Sequence, residues 1–495
     1  MINRRNFLKT LTGTTIALPS ILNANENLKK DIKFDEIADV IIVGSGVSAH
    51  ICAAYLVKNK LDVLMIEKMD RIGGNSVLSQ QDFAVLNSDL QIKAGIKDSE
   101  ELFLNDLNKA GAGYNHLEHS LRIIRNSNEA YEFAKSCGVK YANKLKFLGG
   151  HSVARSVETI GGGGACIKAL HEFFLANKGR FKNETKSDEI IQDENAKVIG
   201  ISVRENYRFD RNLANDDRQN LSGVKKNYKA RLAVVFATGG FSRDVEFRSI
   251  VNPRLRLAKS PSSLGQTAGA LKQMLKIGAI ATQLALSRFS FGIPTEDLIY
   301  GIMLDKNAKR FLNEDGDRQG LSNKILAHMQ NLNTTSYPTI ILDSTGFANS
   351  HDPNRMQSFI IAGKMKKFDT LDELANHFKL NKDELLKSMQ IYEDGIKKNK
   401  DEFKKDLSKI KNSSMSKAPF YAMTAAPGLS YTPGGVWADT NMRVLHISNY
   451  EPIKGLYAIG EATGGVHGQA RLTSCSIPDC MTSGIACAKD ILKGI

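Results

Sequence analysis

Short apolar runs that end in a glycine cluster recur along this chain. The first run covers residues 39 to 43 and leads into Gly44-Ser45-Gly46, after which apolar positions follow a helical spacing from Ser45 to Lys58. A second apolar run, residues 62 to 66, ends at Glu67. A strand, a glycine turn, a helix and a second strand in this order predict a βαβ unit, which is typical of α/β folds with a parallel sheet.

The glycine turn of this unit matches the dinucleotide-binding fingerprint. Gly44-x-Gly46-x-x-Ala49 lies between the strand and the helix, and Glu67 follows about 20 residues later, where an acidic side chain accepts hydrogen bonds from a ribose hydroxyl. The N-terminus of the helix, with its free N–H groups, would face the pyrophosphate. We therefore predict that this turn binds a dinucleotide.

Further glycine motifs extend this prediction along the chain. Gly73-Gly74-Asn75-Ser76 suits a backbone that passes along the isoalloxazine and ribityl parts of a flavin. Another strand pattern ends at Ala237-Thr238-Gly239-Gly240, and near the C-terminus an apolar run enters residues 460 to 468, with Arg471 beside them. Glycine turns let the backbone approach a flat or phosphorylated ligand closely. We interpret the turns at both ends of the sequence as holding one cofactor, FAD.

The intervening pattern contains both helices and strands. Helical spacing covers residues 99 to 135, strand patterns with hairpin turns cover 187 to 237, and a further helix covers 264 to 277. Beyond residue 285 the glycine turns disappear and lysine-rich helices take over, with helix-start signals at Thr370 and Asn381.

These patterns predict the domain organisation. We expect a Rossmann-like FAD-binding domain of the α/β class, built from residues 36–284 and 432–495. Residues 285–431 would form an inserted α+β capping domain over the flavin. A chain of 495 residues is too long for one compact core, which agrees with two domains.

The amino-acid composition limits the classes of molecule that this protein is expected to bind. The formal net charge is +14, yet lysine and arginine are spread along the chain without a nucleic-acid motif, so we expect no nucleic-acid partner. The charge fits steering of an anionic substrate or an acidic partner, and equally a merely solvated surface. The six cysteines form no Cys-x-x-Cys-His sequence, so we expect no c-type haem on this chain. Cys475 and Cys480, near the predicted flavin, are either a redox pair or buried free thiols.

The N-terminus has the pattern of an export signal. Asn3-Arg4-Arg5-Asn6-Phe7-Leu8-Lys9 is typical of a twin-arginine signal, and a modest apolar stretch from Leu11 to Leu22 follows it. Gly13 and Pro19 lie in this stretch, which is too short and too polar to span a membrane. We predict a signal peptide over residues 1–24, export of the folded protein and a periplasmic location. No later stretch reaches transmembrane length, so we expect no membrane span.

Taken together, the motifs resemble those of the soluble fumarate reductase and flavocytochrome c flavoproteins, part of the succinate dehydrogenase/fumarate reductase superfamily. The resemblance covers residues 36 to 495. It rests on several segments in the family's order: Val43-Gly44-Ser45-Gly46, Gly73-Gly74-Asn75-Ser76, Gly149-Gly150-His151-Ser152-Val153, Ala237-Thr238-Gly239-Gly240, Lys309-Arg310-Phe311-Leu312-Asn313-Glu314, Pro433-Gly434-Gly435-Val436 and Gly460-Glu461-Ala462-Thr463-Gly464-Gly465-Val466-His467-Gly468.

The resemblance implies a reaction and two catalytic arginines. In this family flavin N5 gives a hydride to one carbon of an activated double bond, and a proton adds to the neighbouring carbon. The proton-donating arginine corresponds to Arg318, and the arginine that binds a substrate carboxylate corresponds to Arg471. Arginine is a very weak acid, but the carbanion-like centre is more basic still, and a fixed cation stabilises charge that develops on the substrate. Asp315 and Asp317 beside Arg318 either relay protons or are solvated loop residues.

Departures from the family pattern bear on the substrate. Ser430-Tyr431-Thr432 stands where fumarate reductases have His-His-Thr, and Ser287-Arg288-Phe289-Ser290 lacks their other substrate histidine. Their Glu and Arg proton relay aligns with Pro294 and Asp297. We expect a 2-enoate with one carboxylate and a bulkier or apolar tail, such as acrylate, methacrylate, an aryl-acrylate or urocanate, with fumarate still a candidate. Tyr431 is otherwise a packing residue. The expected substrate-binding residues are Arg288, Phe289, Ser430, Tyr431 and Gly434.

The resemblance also implies which residues contact FAD. We expect the cofactor to be bound non-covalently, because no histidine stands where membrane-bound relatives attach their flavin, and we expect no metal. The predicted cofactor-binding residues are Gly44, Gly46, Val47, Ser48, Ala49, Glu67, Lys68, Gly73, Gly74, Asn75, Ser76, Ser79, Gln80, Ala237, Thr238, Gly239, Gly460, Glu461, His467, Ser476 and Ile477.

Two other functions remain open from the sequence. The predicted reductase would take electrons from a separate periplasmic cytochrome c or a quinol-linked partner, because the chain shows neither haem nor a second dinucleotide fingerprint. A ketosteroid-type FAD dehydrogenase, with Tyr431 as acid or base, is one alternative, against which the pair Arg318 and Arg471 argues. A non-catalytic electron-transfer flavoprotein is the other.

Overall fold

The computed structural model describes residues 32–291, 293, 295–410 and 414–495. The predicted signal peptide over residues 1–24 lies outside these ranges, as does Pro294. In the described ranges, no helix combines the length and apolarity that crossing a membrane requires.

The described chain forms strands and helices throughout its length. The strands are β1 (Glu36–Val43), β2 (Val63–Ile66), β3 (Phe83–Ala84), β4 (Tyr141–Lys146), β5 (Ser156–Thr159), β6 (Arg180–Lys182), β7 (Lys186–Gln192), β8 (Val198–Glu205), β9 (Val224–Phe236), β10 (Ala281–Thr282), β11 (Arg288–Ser290), β12 (Ile302–Leu304), β13 (Thr339–Leu342), β14 (Lys366–Phe368), β15 (Phe420–Thr424), β16 (Gly428–Tyr431), β17 (Gly435–Val436), β18 (Arg443–Leu445) and β19 (Pro452–Ala458).

The helices fall between these strands. They are α1 (Val47–Lys58), α2 (Asp89–Lys93), α3 (Glu100–Gly111), α4 (Leu117–Ser136), α5 (Gly162–Ala176), α6 (Asp216–Gln219), α7 (Val245–Val251), α8 (Gly269–Lys276), α9 (Arg318–Asn331), α10 (Ser344–Ala348), α11 (Pro353–Ile361), α12 (Leu371–Phe378), α13 (Lys382–Lys398) and α14 (Ser476–Lys493). Short 3₁₀ turns cover Gly74–Leu78, Pro253–Leu257, Thr295–Tyr300, Leu407–Ile410 and Gly460–Ala462.

A mostly parallel sheet holds the cofactor-binding motifs. Its order is β18-β19-β9-β1-β2-β6, with β8 pairing β9 and β7 pairing β8. Ile41 and Val43 of β1 pack into one core, and Val40 and Ile42 pack into another on the opposite face. Both faces of the central strand are therefore buried, which explains why β1 is a continuous apolar run rather than an alternating one. The predicted α/β class with a parallel sheet is confirmed.

Several helix boundaries in the structure differ from the predicted ones. The first helix begins at Val47 and not at Ser45, since Gly46 still has an extended backbone with φ −71° and ψ −178°. The helical pattern from residue 99 to 135 is two helices, α3 and α4, because Ala112 and Gly113 take positive φ values of 54° and 74° between them. The helix predicted from residue 264 begins only at Gly269, where the N–H of that glycine donates to Asp217.

Residues 285–431, predicted to be an inserted domain, contain a sheet of their own and will be called the capping segment. Four antiparallel strands in the order β12-β13-β15-β14 form this sheet, and α9 to α13 belong to the same region. The helix starts predicted at Thr370 and Asn381 are present, since their side chains accept from the backbone N–H groups of Glu373 and Glu384 at 3.2 and 2.9 Å. The sequence contains no comparable start signal for the four strands, so it does not predict their individual positions.

Two short ladders connect the capping segment to the main sheet region. The chain enters through β10 and β11 and returns through β16 and β17. The outgoing and returning strands pair antiparallel, β10 with β17 and β11 with β16. Arg288 lies opposite Tyr431 in the second ladder. Two predicted substrate residues are therefore positioned by the junction itself.

Candidate active site

The first glycine motif forms one wall of a cavity at the carboxyl end of β1. The cavity has an empty volume of about 590 Å³, and the motif residues lie beside main chain from β9 and the second half of the sequence. Of the predicted cofactor residues, those that line it are Gly44, Gly46, Val47, Ser48, Glu67, Gly74, Asn75, Ser76, Ala237, Thr238, Gly239 and Glu461. The carboxyl ends of parallel strands are where open α/β sheets bind nucleotides, so the cavity has the position a dinucleotide requires.

Gly44 shows why this wall is made of glycine. Its φ is +102°, and a Cβ there would lie 2.5 Å from the carbonyl oxygen of Ala237. Gly46, at the start of α1, also lines the cavity, and its Cβ would meet only the Ser76 hydroxyl at 3.5 Å. The two glycines therefore serve different purposes: the first brings two strand ends together, and the second keeps the helix N-terminus open to a ligand.

Glu67 is held in place at the end of β2. Its carboxylate accepts from the N–H and the hydroxyl of Ser45, at 3.1 and 2.6 Å, and from the N–H of Met69 at 3.0 Å. Burial raises the pKa of this carboxyl, and these hydrogen bonds partly oppose the shift. The next residue, Lys68, binds Asp217 and Thr267 and lines the neighbouring cavity together with Glu67.

Some predicted cofactor residues do not line these cavities. Ala49 is buried in the core behind α1, and Gly73 is buried, with its N–H donated to the Ser45 hydroxyl at 3.0 Å. Gln80 is exposed. Gly460 is buried with φ +62° and its N–H donates to Ser483. These residues shape the backbone around the cavity instead of presenting a side chain to it.

A second cavity opens beside the first at the junction with the capping segment. It has an empty volume of about 850 Å³ and shares Val47, Asn75, Ser76, Glu461 and Cys480 with the first. The predicted site residues that line it are Asn75, Ser76, Ser79, Arg288, Ser430, Tyr431, Glu461, Arg471, Ser476 and Ile477. Residues predicted for the cofactor and residues predicted for the substrate thus meet in one space.

Phe289 and Gly434 are placed elsewhere. Phe289 follows Arg288 on β11 but is 1% exposed in the core of the capping segment. Successive strand residues point to opposite faces, so only one of the two can reach the cavity. Gly434 packs against Gln283, where a Cβ would lie 2.4 Å from a main-chain atom. Sequence reasoning missed Leu78, Pro261 and Ser262, which line the cavity, whereas Cys480, which also lines it, was expected near the flavin.

Arg288 and Arg471 line this cavity, and a third arginine, Arg318, lies close enough for its charge to act on Arg288. Arg288 donates to the Ser430 hydroxyl at 3.5 Å, and the guanidinium of Arg471 lies 5.6 Å from the centre of the Tyr431 ring. The positive charge of Arg471, followed by burial and the charge of Arg318, lowers the pKa of Arg288 to about 8. In the ranges that the structure describes, no carboxylate lies within 4 Å of any of these three guanidinium groups, and Arg471 Nε is buried without a hydrogen-bond partner.

Arg318 is the first residue of α9 and is exposed. The side chain of Asp317 caps this helix by accepting from the N–H groups of Gln319 and Gly320 at 2.8 and 3.0 Å. Asp315 pairs with Lys409 at 2.7 Å. Asp297, which the resemblance aligned with a proton relay, is buried and bonded to Ser350 and His351, so it serves the structure of the capping segment.

Glu461 is the acidic residue of the cavity. It accepts from the N–H of Thr432 at 2.9 Å and from Gln266 at 2.8 Å. Burial raises its pKa to about 7, although Thr432 and the nearby Arg471 act in the opposite direction. Burial also raises the pKa of the Tyr431 hydroxyl, so this phenol stays protonated.

A buried polar network supports the loop that carries Arg471. His467 contacts Asp479 at 3.2 Å, and Asp479 pairs with Arg122 at 2.6 Å, with all three side chains at most 3% exposed. The ring of His467 packs edge-on against Tyr431. His467 was predicted to bind the cofactor, but the structure places it behind Tyr431 and not on the cavity wall. No sequence motif includes Arg122, which lies more than 300 residues before this loop.

The cysteines form no disulfide among the described residues, which include all six. Cys480 lines the cavity, and burial raises the pKa of the Cys475 thiol to about 12. A thiol with so high a pKa is a poor nucleophile. Cys475 is buried and Cys480 is half-buried, and both are free thiols.

Comparison with known proteins agrees with this geometry. A family model described as an FAD binding domain matches residues 39–477. The acrylate reductase flavoprotein subunit of Shewanella woodyi is 32% identical, covering 100% of this chain and 99% of the relative. The urocanate reductase of Eggerthella lenta is 28% identical, covering 94% and 75%.

A solved structure with the same fold is the open conformation of a flavocytochrome c3 fumarate reductase. Its TM-score is 0.80 at 23% sequence identity, and the match covers 93% of this chain and 79% of that one. With the two cavities and the sequence relatives, this shows the predicted family and cofactor. The chain belongs to the FAD-dependent reductase family that includes the fumarate and acrylate reductase flavoproteins, and its cofactor is FAD.

Proposed function

We propose that this protein reduces the carbon–carbon double bond of a small unsaturated carboxylate. The observation that carries the proposal is a group of three arginines beside the first cavity, called the FAD cavity from here on. Arg288 and Arg471 line the second cavity, called the substrate cavity, and Arg318 lies near them. Like charges held together without a carboxylate partner are unfavourable. A bound substrate carboxylate would supply the missing negative charge, so the site is arranged for an anion. The names of the relatives, reductases of acrylate, urocanate and fumarate, support the same substrate class.

The first cavity fits FAD, which supplies a hydride to the substrate when it is bound. The glycine main chain at Gly44 and Gly46 and the N-terminus of α1 suit the pyrophosphate, and Glu67 suits a ribose hydroxyl. Asn75, Ser76 and Glu461 lie where the two cavities meet. These three residues would hold the cofactor and border the bound substrate at the same time.

Arg471 and Arg288 bind and orient the substrate in this proposal. Arg471 offers a planar group that pairs with a carboxylate through two parallel hydrogen bonds. Its Nε has no protein partner, so a donor is free for the substrate. Tyr431 packs against Arg471 and fixes its plane. Fixing one end of the substrate places its double bond beside the flavin, and orientation of this kind is a large part of catalysis.

Arg318 supplies the proton in this proposal. It stands on the capping segment, on the opposite side of the junction from Arg471. The carbon next to the site of hydride addition becomes strongly basic, which makes a guanidinium acidic enough to protonate it, and its positive charge stabilises the transition state. Arg318 is exposed, and we propose that movement of the capping segment toward the bound substrate brings it into contact.

The proposed substrate carries one carboxylate. Tyr431 and Ser430 stand where a second carboxylate would need further donors, and Leu78, Pro261 and Ile477 add apolar surface to the cavity. This surface suits a vinyl, methyl or aryl group. Acrylate, methacrylate, an aryl-acrylate and urocanate therefore come before fumarate. Export to the periplasm and a separate electron donor complete the proposal.

The dehydrogenase alternative receives less support. A steroid dehydrogenase needs a tyrosine that gives up its proton readily, whereas burial raises the pKa of Tyr431. Three cations at the cavity have no evident purpose for an uncharged steroid.

Turnover with a chemical reductant tests the proposal. Purified, FAD-loaded protein would be mixed with reduced methyl viologen and acrylate, methacrylate, cinnamate, urocanate, fumarate or a 3-ketosteroid. We expect viologen oxidation with a mono-carboxylate enoate and none with the steroid. Fumarate as the best substrate would overturn the preference for one carboxylate. Oxidation of the steroid with a dye acceptor, without any enoate reduction, would overturn the proposal as a whole.

A further inference from the structure

A further cavity borders both the FAD cavity at the carboxyl end of β1 and the substrate cavity at the junction with the capping segment. It is open, with an empty volume of about 1520 Å³, and will be called the basic cleft. It shares Met69, Gly74 and Ser263 with the FAD cavity. It shares Leu78, Pro261 and Ser262 with the substrate cavity, beside Gly74. The basic cleft therefore adjoins both cavities, and Gly74 in its wall directly precedes Asn75, one of the residues that the two cavities share.

Positive charge dominates this cleft. Five cationic side chains line it, against the carboxylates of Asp70 and Glu184: Lys68, Arg71, Arg208, Arg211 and Arg243. Arg71 and Arg208 pair with the two carboxylates but stay 83% and 70% exposed. Arg211 has no carboxylate partner among residues 32–291, 293, 295–410 and 414–495. Asp217 is the partner of Lys68, so three carboxylates stand against five cations and the field of the cleft stays positive.

The loop that carries Arg208 and Arg211 is anchored by buried hydrogen bonds. Residues 206 to 222 connect β8 to β9 and carry Arg208 and Arg211. Tyr207 beneath them is fully buried and donates its hydroxyl to Asp216, which also accepts from Asn220 at 2.7 Å. Such anchoring reduces the conformational entropy that binding would cost.

Apolar side chains stand among the cations. Leu78 is 62% exposed and Leu264 is 36% exposed, and both line the cleft together with Pro261. Leu78 and Pro261 also line the substrate cavity, whereas Leu264 lines the cleft and not the substrate cavity. Apolar side chains among mostly positive ones are the arrangement expected of a transient protein interface.

We propose that the basic cleft is the docking surface for an acidic one-electron carrier protein that reduces the flavin. This inference rests on the proposed function. Two reduced carriers dock in succession and each gives one electron. Overall, two reduced carriers, one enoate and two protons yield two oxidised carriers and the saturated acid. Docking here leaves Arg288 and Arg471 uncovered, since neither lines the cleft, so the substrate carboxylate keeps its binding groups.

An electron-transfer assay with a model carrier tests the inference. Reduced flavodoxin, a small acidic one-electron carrier, would be mixed with the FAD-loaded protein, and flavin reduction followed by stopped flow from low to high salt. The variant is Arg208→Glu with Arg211→Glu, which lies on the exposed loop and outside the cofactor cavity. The matched control is Lys366→Glu with Lys367→Glu, the same charge change on exposed positions of β14. Reduced methyl viologen, a small cation, measures enoate turnover independently of docking.

We expect the rate with flavodoxin to fall with rising salt, and to fall about tenfold in the arginine variant at low salt. The lysine variant should change it less than twofold, and viologen turnover should stay within twofold in both. The inference is overturned by equal rates in the two variants, by the absence of a salt effect or by a wild-type protein that flavodoxin does not reduce. Reduction by NADH that disappears in the arginine variant would instead assign the cleft to a small phosphorylated donor. Failure of viologen turnover in the wild type would count against the proposed function, a separate result.

Discussion

The FAD cavity and the substrate cavity are neighbours built in different ways. The FAD cavity is made largely of main chain, from the glycine turn after β1, the start of α1 and the end of β9. The substrate cavity is made of side chains, and its cations come from three separated places, β11, α9 and the loop before α14. The main chain of the FAD cavity recognises the cofactor, whereas the side chains of the substrate cavity recognise the substrate. Changes in the first cavity should therefore abolish cofactor binding, and changes in the second should alter rate and selectivity.

Replacing Gly44 should have the largest effect. In Gly44→Ala the new Cβ would lie 2.5 Å from the Ala237 carbonyl oxygen, at a φ of +102°. We expect loss of FAD and of folding stability by more than about 3 kcal/mol. The FAD content and the melting temperature measure it.

Gly95→Ala is the matched control, because Gly95 also has positive φ, +65°, but open space around it. It should cost about 1 kcal/mol and keep FAD. Equal effects in both variants would show that the close approach does not matter.

The difference between the cavities also explains what the sequence could predict. The turn at Gly44 and the carboxylate of Glu67 follow from a local pattern, because strand, turn and helix are consecutive. Arg288 and Phe289 are also adjacent, yet only Arg288 reaches the cavity. Which of the two does so depends on the register of β11 against β16, and β16 lies about 140 residues further along the chain. The resemblance supplied Arg318 and Arg471, and no spacing in the chain would have brought them together.

Replacing Arg318 should have the largest effect on the chemistry. Arg318→Ala should lower enoate turnover about 1,000-fold, because the substrate carbon loses its proton donor. Flavin reduction by viologen should stay normal, and rapid mixing of the reduced enzyme with substrate isolates the affected step. Arg355→Ala, at an exposed arginine of α11, is the control and should change neither step. An Arg318→Ala enzyme that still oxidises its flavin rapidly with substrate would remove the assigned role.

Replacing Arg471 should affect binding and rate together. Arg471→Gln should lower kcat/KM about 100-fold, close to 3 kcal/mol, because a hydrogen-bonded charge pair with the substrate carboxylate is lost. Arg471→Lys keeps the charge without the planar group and should recover only part of the loss. Steady-state kinetics with FAD-saturated enzyme measure both. Full recovery in Arg471→Lys would mean that charge alone, and not two parallel hydrogen bonds, holds the substrate.

Replacing Arg288 should have the smallest effect. It should raise the free energy of unfolding of the unliganded protein and lower the affinity for a carboxylate ligand. Arg288→Gln removes one charge from a repelling group, so the unliganded protein should gain up to about 1 kcal/mol in its free energy of unfolding. The same change should weaken binding of a saturated carboxylate such as propionate severalfold. Melting curves with and without propionate measure both effects. A variant that loses stability without ligand would show that the arginine charges are compensated in the free protein.

The paired ladders that join the capping segment to the main sheet place its two ends side by side. Segments whose ends lie close together can be exchanged without stretching the rest of the chain. The ladders also carry Arg288, Ser430 and Tyr431, so an exchange cut at β10 and β17 would transfer these residues with the segment. The capping segment is in this sense a replaceable part. Grafting one from a relative is a route to a new substrate range on an unchanged FAD-binding sheet.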